Sequence, residues 1–455
     1  MAGDAGGRSA EKGDGMSDIT QAVARLIVDT QPDDAAREQA RRGVLDFFAV
    51  ALPVVNGALP DATLASLRQI WPGQDAQSRA LRLGYSGHAL DFDDFHPDFR
   101  GHVGTVILPA LLALSAESAI IEPTQFLDAF ALGVEMAGRL GLAVGSGHYV
   151  QGFHNTSTLG VLAAAAACAR LVKADPAQTA NILAIAATQA AGLRVQFGSD
   201  IKPLHAGLAA RAAVTAVQLT QHGVSAQTTG ALDSFLAAYS PTTARPALLT
   251  ECWGAPWRIV TPGLEFKPWP TCSGTHGAAL AALTLREKWL AAGFSIAQLH
   301  HDVERIEVAF PPGGDVAAFI HTPTNGVEAR FSLEYVIAEC LLDNDLPLSS
   351  FAPGNVKPAT AALAARVVRT PDHNAPPDAL NPAARFHRLR VTTRAGVILE
   401  TEATRQMLLA KGVDLAEKLH RCLPQADDAT RNGWLTLTRL ESAQALRTLQ
   451  ALLLV

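Results

Sequence analysis

Fifteen consecutive positions, His88 to His102, hold four aspartates (Asp91, Asp93, Asp94, Asp98), three histidines (His88, His96, His102) and Arg100. They run directly into an apolar stretch beginning at Val106. So many ionisable groups between apolar segments are expensive to bury without partners or a task, so the segment is either a surface loop or the floor of an active site. Three further segments carry reactive side chains. Gly147 to Thr158 brings Tyr149 and His154 to the start of an alanine-rich helix. Thr156 or Ser157 is expected to cap that helix, whose positive N-terminus favours an anionic ligand. Gly198 to Gly207 places Lys202 one residue before Pro203, on the approach to another alanine-rich helix. Burial and the helix dipole both disfavour a lysine charge there, which moves the amine toward use as a base. Phe266 to His276 supplies Lys267, Cys272 and His276. Nothing near Cys272 in sequence marks an activated thiolate, so it reads as a lining residue. Each segment also has a plain reading: a loop histidine bonded to backbone, or a lysine reaching out to water.

The elements that must position these groups are mostly helical. Apolar residues at Val44, Leu45, Phe48 and Leu52 follow one helix face from Asp33. Asp175-Pro176 is an N-cap with proline at the first position, predicting a helix to about Gly192, and Pro203 opens one ending near Gly223. The alanine- and glycine-rich stretches Thr156–Ala174 and Leu204–Val217 predict helices packed at the centre of a bundle, where small residues allow close approach. After Trp257 the texture changes. A helix is expected from His276 to Ala292, an alternating strand over Val303–Phe310, and helices over Val327–Leu342 and Pro358–Val367. Arg388–Thr393 and Val397–Glu402 read as a hairpin. The expected fold is mostly α: an N-terminal tail (1–17), a helical domain built from 18–265 and 404–455, and an inserted α+β lid (266–403). The cleft between them is where a ligand would bind.

At 455 residues with 48% hydrophobic and 18% charged content, the chain has the means for a large core. A net charge of −6 with no basic stripe argues against nucleic acid. Five scattered cysteines without a Cys-x-x-Cys pair fit a reducing compartment, and no run is apolar and long enough to span a bilayer. The expected location is the cytoplasm.

In order along the chain, Ala89-Leu-Asp-Phe-Asp-Asp94, Gly152-Phe-His-Asn-Thr-Ser-Thr-Leu-Gly160, Lys202-Pro-Leu-His-Ala-Gly207, Lys267-Pro-Trp-Pro-Thr-Cys-Ser-Gly-Thr-His276 and Glu328-Ala-Arg-Phe-Ser332 resemble the MmgE/PrpD family over about residues 18–450. The resemblance implies a helical domain with an α+β lid, commonly a homodimer, acting on small di- or tricarboxylates with no cofactor and no metal. Known activities there are 2-methylcitrate dehydration, cis-aconitate decarboxylation and iminodisuccinate epimerisation. Arg100-Gly-His102, Gly147-His-Tyr149 and Ala255-Pro-Trp257 make the chain most similar to the epimerases. It implies Tyr149 and Lys202 as two bases on opposite faces of one carbon, and His102, His154, His276 and Lys267 as carboxylate-holding groups. Asp91 would orient the loop histidine, with Arg100 and Arg330 as carboxylate clamps. Val103 and Asn155 stand where the family usually has proline, which would re-aim both imidazoles. Asp91-x-Asp93-Asp94 also fits a terpene-cyclase acid or a phosphatase nucleophile. Aromatic content of 6% and the lack of a preceding buried strand argue against these. A metal site in the Asp/His loop is disfavoured by the resemblance. A non-catalytic helical binding protein is the alternative of a different class.

Overall fold

The computed structural model describes residues 18–117 and 121–455; the expected N-terminal tail, 1–17, lies outside the described residues. Among the described residues the fold is mostly helical with one small sheet, and it has two large apolar cores. The first gathers Phe47, Ile107, Phe130, Leu162 and Val214 from the N-terminal half with Leu419, Leu446 and Leu449 from the C-terminal end. The second gathers Trp289, Ile306, Tyr335, Leu389 and Val391. We call the bodies around them the helical body and the smaller body.

In the helical body, Asp33 caps the helix Asp34–Val55 by accepting from the Ala36 N–H at 2.8 Å. Asp175 and Gln178 form a reciprocal capping box at the start of Pro176–Ala187. This helix stops before Gly192, whose carbonyl instead accepts the His154 N–H at 3.1 Å. The first alanine-rich stretch is central as expected, every residue of Gly160–Leu171 except Arg170 being buried, whereas Leu204–Val217 is buried on one face only and exposes Leu208. Helix Ile201–Gln221 crosses Ala76–His88 where Gly84 meets Gly207; a Cβ on Gly84 would lie 2.7 Å from the Gly207 Cα, and one on Gly207 2.2 Å from the Leu81 carbonyl oxygen. Only glycines permit that approach, and it sets Lys202 beside His88. The helix starts two residues ahead of Pro203, which is tolerated because the first-turn N–H groups have no intrahelical partner. Lys202 is therefore in the first turn, not before it.

The smaller body carries strands β1 (Val303–Ala309), β2 (Val367–Arg369), β3 (Phe386–Thr393) and β4 (Ile398–Thr404) in the order β2-β1-β3-β4. β1 pairs with β2 in parallel and with β3 antiparallel, and β3–β4 is the expected hairpin. Val367, expected to end a helix, opens β2, because a parallel partner for β1 requires a crossover, here through Leu333–Asp343 and Pro358–Ala364. The helix expected from Val327 begins at Leu333, capped by Ser332, after a short turn at Gly326–Ala329. No helix among the described residues is long and apolar enough to cross a membrane.

Candidate active site

The loop after Ala76–His88 turns at Asp91, whose φ of 50° is a left-handed conformation that non-glycine residues rarely adopt. The turn presents both the carboxylate and the carbonyl of Asp91 inward. Lys202 Nζ donates to Asp91 Oδ1 at 2.7 Å, and Lys267 Nζ donates to the same oxygen at 2.9 Å and to the Asp91 carbonyl at 2.7 Å. All three side chains are buried, and Asp91 Oδ2 has no partner among the described residues. Burial works to raise the Asp91 carboxyl, but the two ammonium groups overrule it and hold it far below the ordinary carboxylate range. Lys202 Nζ also donates to His88 Nε2 at 2.8 Å, and His88 Nδ1–H donates to Asp93 at 2.9 Å. Burial lowers the Lys202 amine below its usual value, although Asp91 opposes the shift.

Asp91 does not orient the loop histidine as expected. His102 Nε2 lies 4.0 Å from Asp91 Oδ1, beyond hydrogen-bond reach, while its Nδ1–H donates to the Asp94 carbonyl at 2.7 Å with Asp93 Oδ2 at 3.3 Å. Nor does Thr156 cap a helix: its hydroxyl accepts the His102 backbone N–H at 3.1 Å, tying the aspartate loop to the His154 segment. His154 Nδ1 shares a hydrogen bond with His205 Nδ1 at 3.1 Å. Burial keeps these imidazoles neutral, with His88 and His276 pushed down to about 3, His205 to about 4, and His102 and His154 also lowered. They can donate an N–H or accept one proton, but they are not standing imidazoliums. His276 Nε2–H donates to the Thr271 carbonyl at 3.1 Å.

Tyr149 occupies the last turn of Pro123–Val150, after a break at Gly145, rather than lying beside a helix N-terminus. The Arg194 guanidinium stacks on its ring at 4.3 Å. Burial, then the proximity of Cys272, pushes its phenol up to about 12, so it is protonated at neutral pH. Cys272 is buried with Phe197 and Phe331, and burial raises its thiol, as suits a lining residue. Those two rings flank Lys202 Nζ, each with its centroid 5.5 Å away. Arg100 lies on the Tyr149 side, donating to the Ala379 carbonyl at 3.4 Å. Arg330 is occupied with backbone: it donates to the Phe351 carbonyl in the smaller body and to the Ala89 carbonyl in the helical body.

A cavity of about 400 Å³ reaches this network and is lined by His88, Asp91, Lys202, Arg330 and Phe331 among others. A second, of about 360 Å³, meets it from the side of Lys267 and His276. Tyr149, His102, His154 and Cys272 line neither. His88, Asp91 and His102 have ligand atoms within 4.8 Å of one another. Two ammonium groups already saturate Asp91 Oδ1, however, and the His88 Nε2 lone pair is taken, so this donor set suits buried ion pairing better than a dication. Sequence reasoning counted His88 and Asp93 in the ionisable loop and His205 in the Lys202 motif without giving any of them a role, and it passed over Phe197. His205 had a signal, standing three positions after Lys202 on the same helix face.

The MmgE/PrpD N-terminal domain model matches residues 17–241, and the MmgE/PrpD C-terminal domain model matches 269–424. The cis-aconitate decarboxylase of Mus musculus is 30% identical over 280 residues, covering 59% of this chain and 55% of its own length. That of Homo sapiens is 29% identical over 280 residues, with 59% and 56% covered. One from Aspergillus terreus is 26% identical over 368 residues, with 74% and 73% covered. The chain thus spans a little over half the length of the mammalian relatives it matches. With both domain models matched in order, and their residues folded around the Asp91–Lys202–Lys267 network, the chain belongs to the MmgE/PrpD family.

Proposed function

We propose that this chain is an enzyme acting on a small di- or tricarboxylate, creating a carbanion next to a carboxylate and returning a proton to it. The observation that carries this reading is Lys202: a buried amine, lowered by burial, aimed by Asp91 and His88, and lining a cavity that Arg330 and Phe331 also line. In our leading assignment the reaction is epimerisation of an iminodisuccinate-like substrate. Lys202, whose ammonium burial makes easier to deprotonate, first gives up its proton and then, as the amine, takes the α-proton, and the electron pair moves into the adjacent carboxylate as an enediolate. Lys267 and an N–H of His154 stabilise that charge, while His102, whose one N–H is spent on the Asp94 carbonyl, offers only Nε2 as an acceptor. Tyr149, held protonated by burial, donates to the opposite face, and the two groups exchange roles for the other stereoisomer.

Cis-aconitate decarboxylation is the second reading, favoured by the relatives named above; it needs a proton donor to the carbanion left by carbon dioxide, and no base. Dehydration is less well served. An imidazolium would have to protonate the leaving hydroxide, and the site's histidines are held neutral. We further propose division into a helical domain (18–265 with 404–455) and a lid (266–403), a homodimeric assembly and a cytoplasmic location. Light scattering and partial proteolysis test the assembly and the boundaries.

The deciding experiment is NMR in D₂O with iminodisuccinate, cis-aconitate, 2-methylcitrate and citrate offered separately. Deuterium entering the α-carbon of iminodisuccinate, abolished in Lys202→Met and reduced at least about 100-fold in Tyr149→Phe, supports the epimerase. Itaconate from cis-aconitate supports the decarboxylase instead, and alkene from 2-methylcitrate a hydro-lyase. No turnover, with ligand-raised melting temperature, supports a binding protein.

A further inference from the structure

On the far side of Lys267 from Lys202, the 360 Å³ cavity is walled by Arg42, Lys267, Arg385 and Arg405, with Glu265 the one carboxylate among its lining residues. Glu265 is paired with Arg405, and Arg385 is paired with Asp378. Arg42 is exposed, lies over the Phe266 ring at 5.0 Å, and has no carboxylate partner among the described residues. The sixteen-residue helix His276–Ala291 opens into the same space at His276 and Gly277, and Thr275, its N-cap, makes no side-chain capping bond. Its amide dipoles add positive potential there.

A second, independent observation is His387 on β3. It lines the cavity, is 1% exposed, and has no partner on either ring nitrogen among the described residues. Burial pushes it down to about 3, so it is neutral, with one N–H to donate and one lone pair to fill. An unmet N–H in the interior is unfavourable, and an anionic ligand that accepted it would relieve that cost. Room for the ring exists because residue 277 is glycine: a Cβ there would stand 2.5 Å from His387 Nδ1.

We propose that this cavity is a second anion site, taking a carboxylate group of a small acid, with Lys267 as the wall between it and the reacting position at Lys202. Lys267 lines the cavity and its ammonium rests on Asp91, which lines the other cavity. The carboxylate is either the remote end of the reacting substrate or belongs to a second, free acid. The proposal does not depend on which reaction the enzyme performs.

The test is isothermal titration of the full chain with tricarballylate, an unreactive tricarboxylate. Arg42→Gln, an exposed change, and His387→Leu are expected to weaken binding at least about tenfold each, the size of one lost charge-assisted or buried hydrogen bond. Melting temperature verifies that each variant is folded. If Lys202→Met leaves the Arg42-dependent binding intact, the site serves a free acid. If Lys202→Met also removes it, one molecule spans both cavities. No binding to the wild type, or binding indifferent to both Arg42→Gln and His387→Leu, overturns the proposal.

Discussion

Asp91 and Asp94 stand three positions apart, both are buried, and their surroundings drive them in opposite directions. Asp91 faces two lysines and is held ionised. Asp94 faces burial first and then the Asp46 carboxylate, and is pushed up to about 8. Its Oδ1 accepts the Val103 and Gly104 N–H groups at 3.2 and 3.0 Å, and its Oδ2 has no partner among the described residues. The folded state therefore holds a proton on Asp94 that an unfolded carboxyl releases near about pH 4. The resulting stability is complete below that pH and drains away as pH rises toward 8. Asp94→Asn keeps the acceptor without the charge, so its melting temperature should fall less than the wild type's between pH 5 and pH 8; parallel curves would refute the assignment. Turnover should likewise survive EDTA, since the ammonium groups of Lys202 and Lys267 occupy the place a cation would take. The reactive residue types were legible in sequence, but their partners were not. Asp91 meets Lys202 across 111 positions and Lys267 across 176, and no local pattern encodes such pairings.

Among the elements, the crossing at Gly84 and Gly207 sets the site's geometry. Gly84→Ala would drive a methyl group into the Gly207 backbone. The expected cost is about 1–3 kcal/mol of stability by denaturant titration. A larger proportional loss of turnover is expected, because Lys202 would ride away from His88 and Asp91. The helix starts at Asp33 and Asp175 were readable, but the one capped by Ser332 was placed too early, at Val327; the β3–β4 hairpin was readable from its alternation and Gly396. β2 was not, because a three-residue strand is too short to show a period and Val367 continues the apolar pattern of the helix before it. The start of Ile201–Gln221 was misjudged because Pro203 suits any position in the first turn.

For the whole molecule, the two bodies meet through buried hydrogen bonds at Arg330 and Asp91, apolar packing of Phe197 on Phe331, and outer contacts such as Arg421 with Asp345. Arg330 bridges the Phe351 and Ala89 carbonyls, so Arg330→Met should leave both unpaired, at roughly 1–3 kcal/mol each. Hydrogen exchange should quicken at Ala89–Asp91 while the two cores remain protected; unchanged exchange would show that the bridge carries no weight. Composition had announced a large helical protein with an α+β part, since periodicity survives burial. The closeness of the two bodies at Asp91 had no such signature. That meeting point has a further meaning. Asp91 is neutralised by one lysine from within the helical body and one from the strand of chain that leads into the smaller body, just ahead of Trp269. The two halves therefore cannot diversify independently: a chimera that borrowed its C-terminal half from a relative lacking a lysine at position 267 would leave a buried charge half-answered at the heart of the molecule.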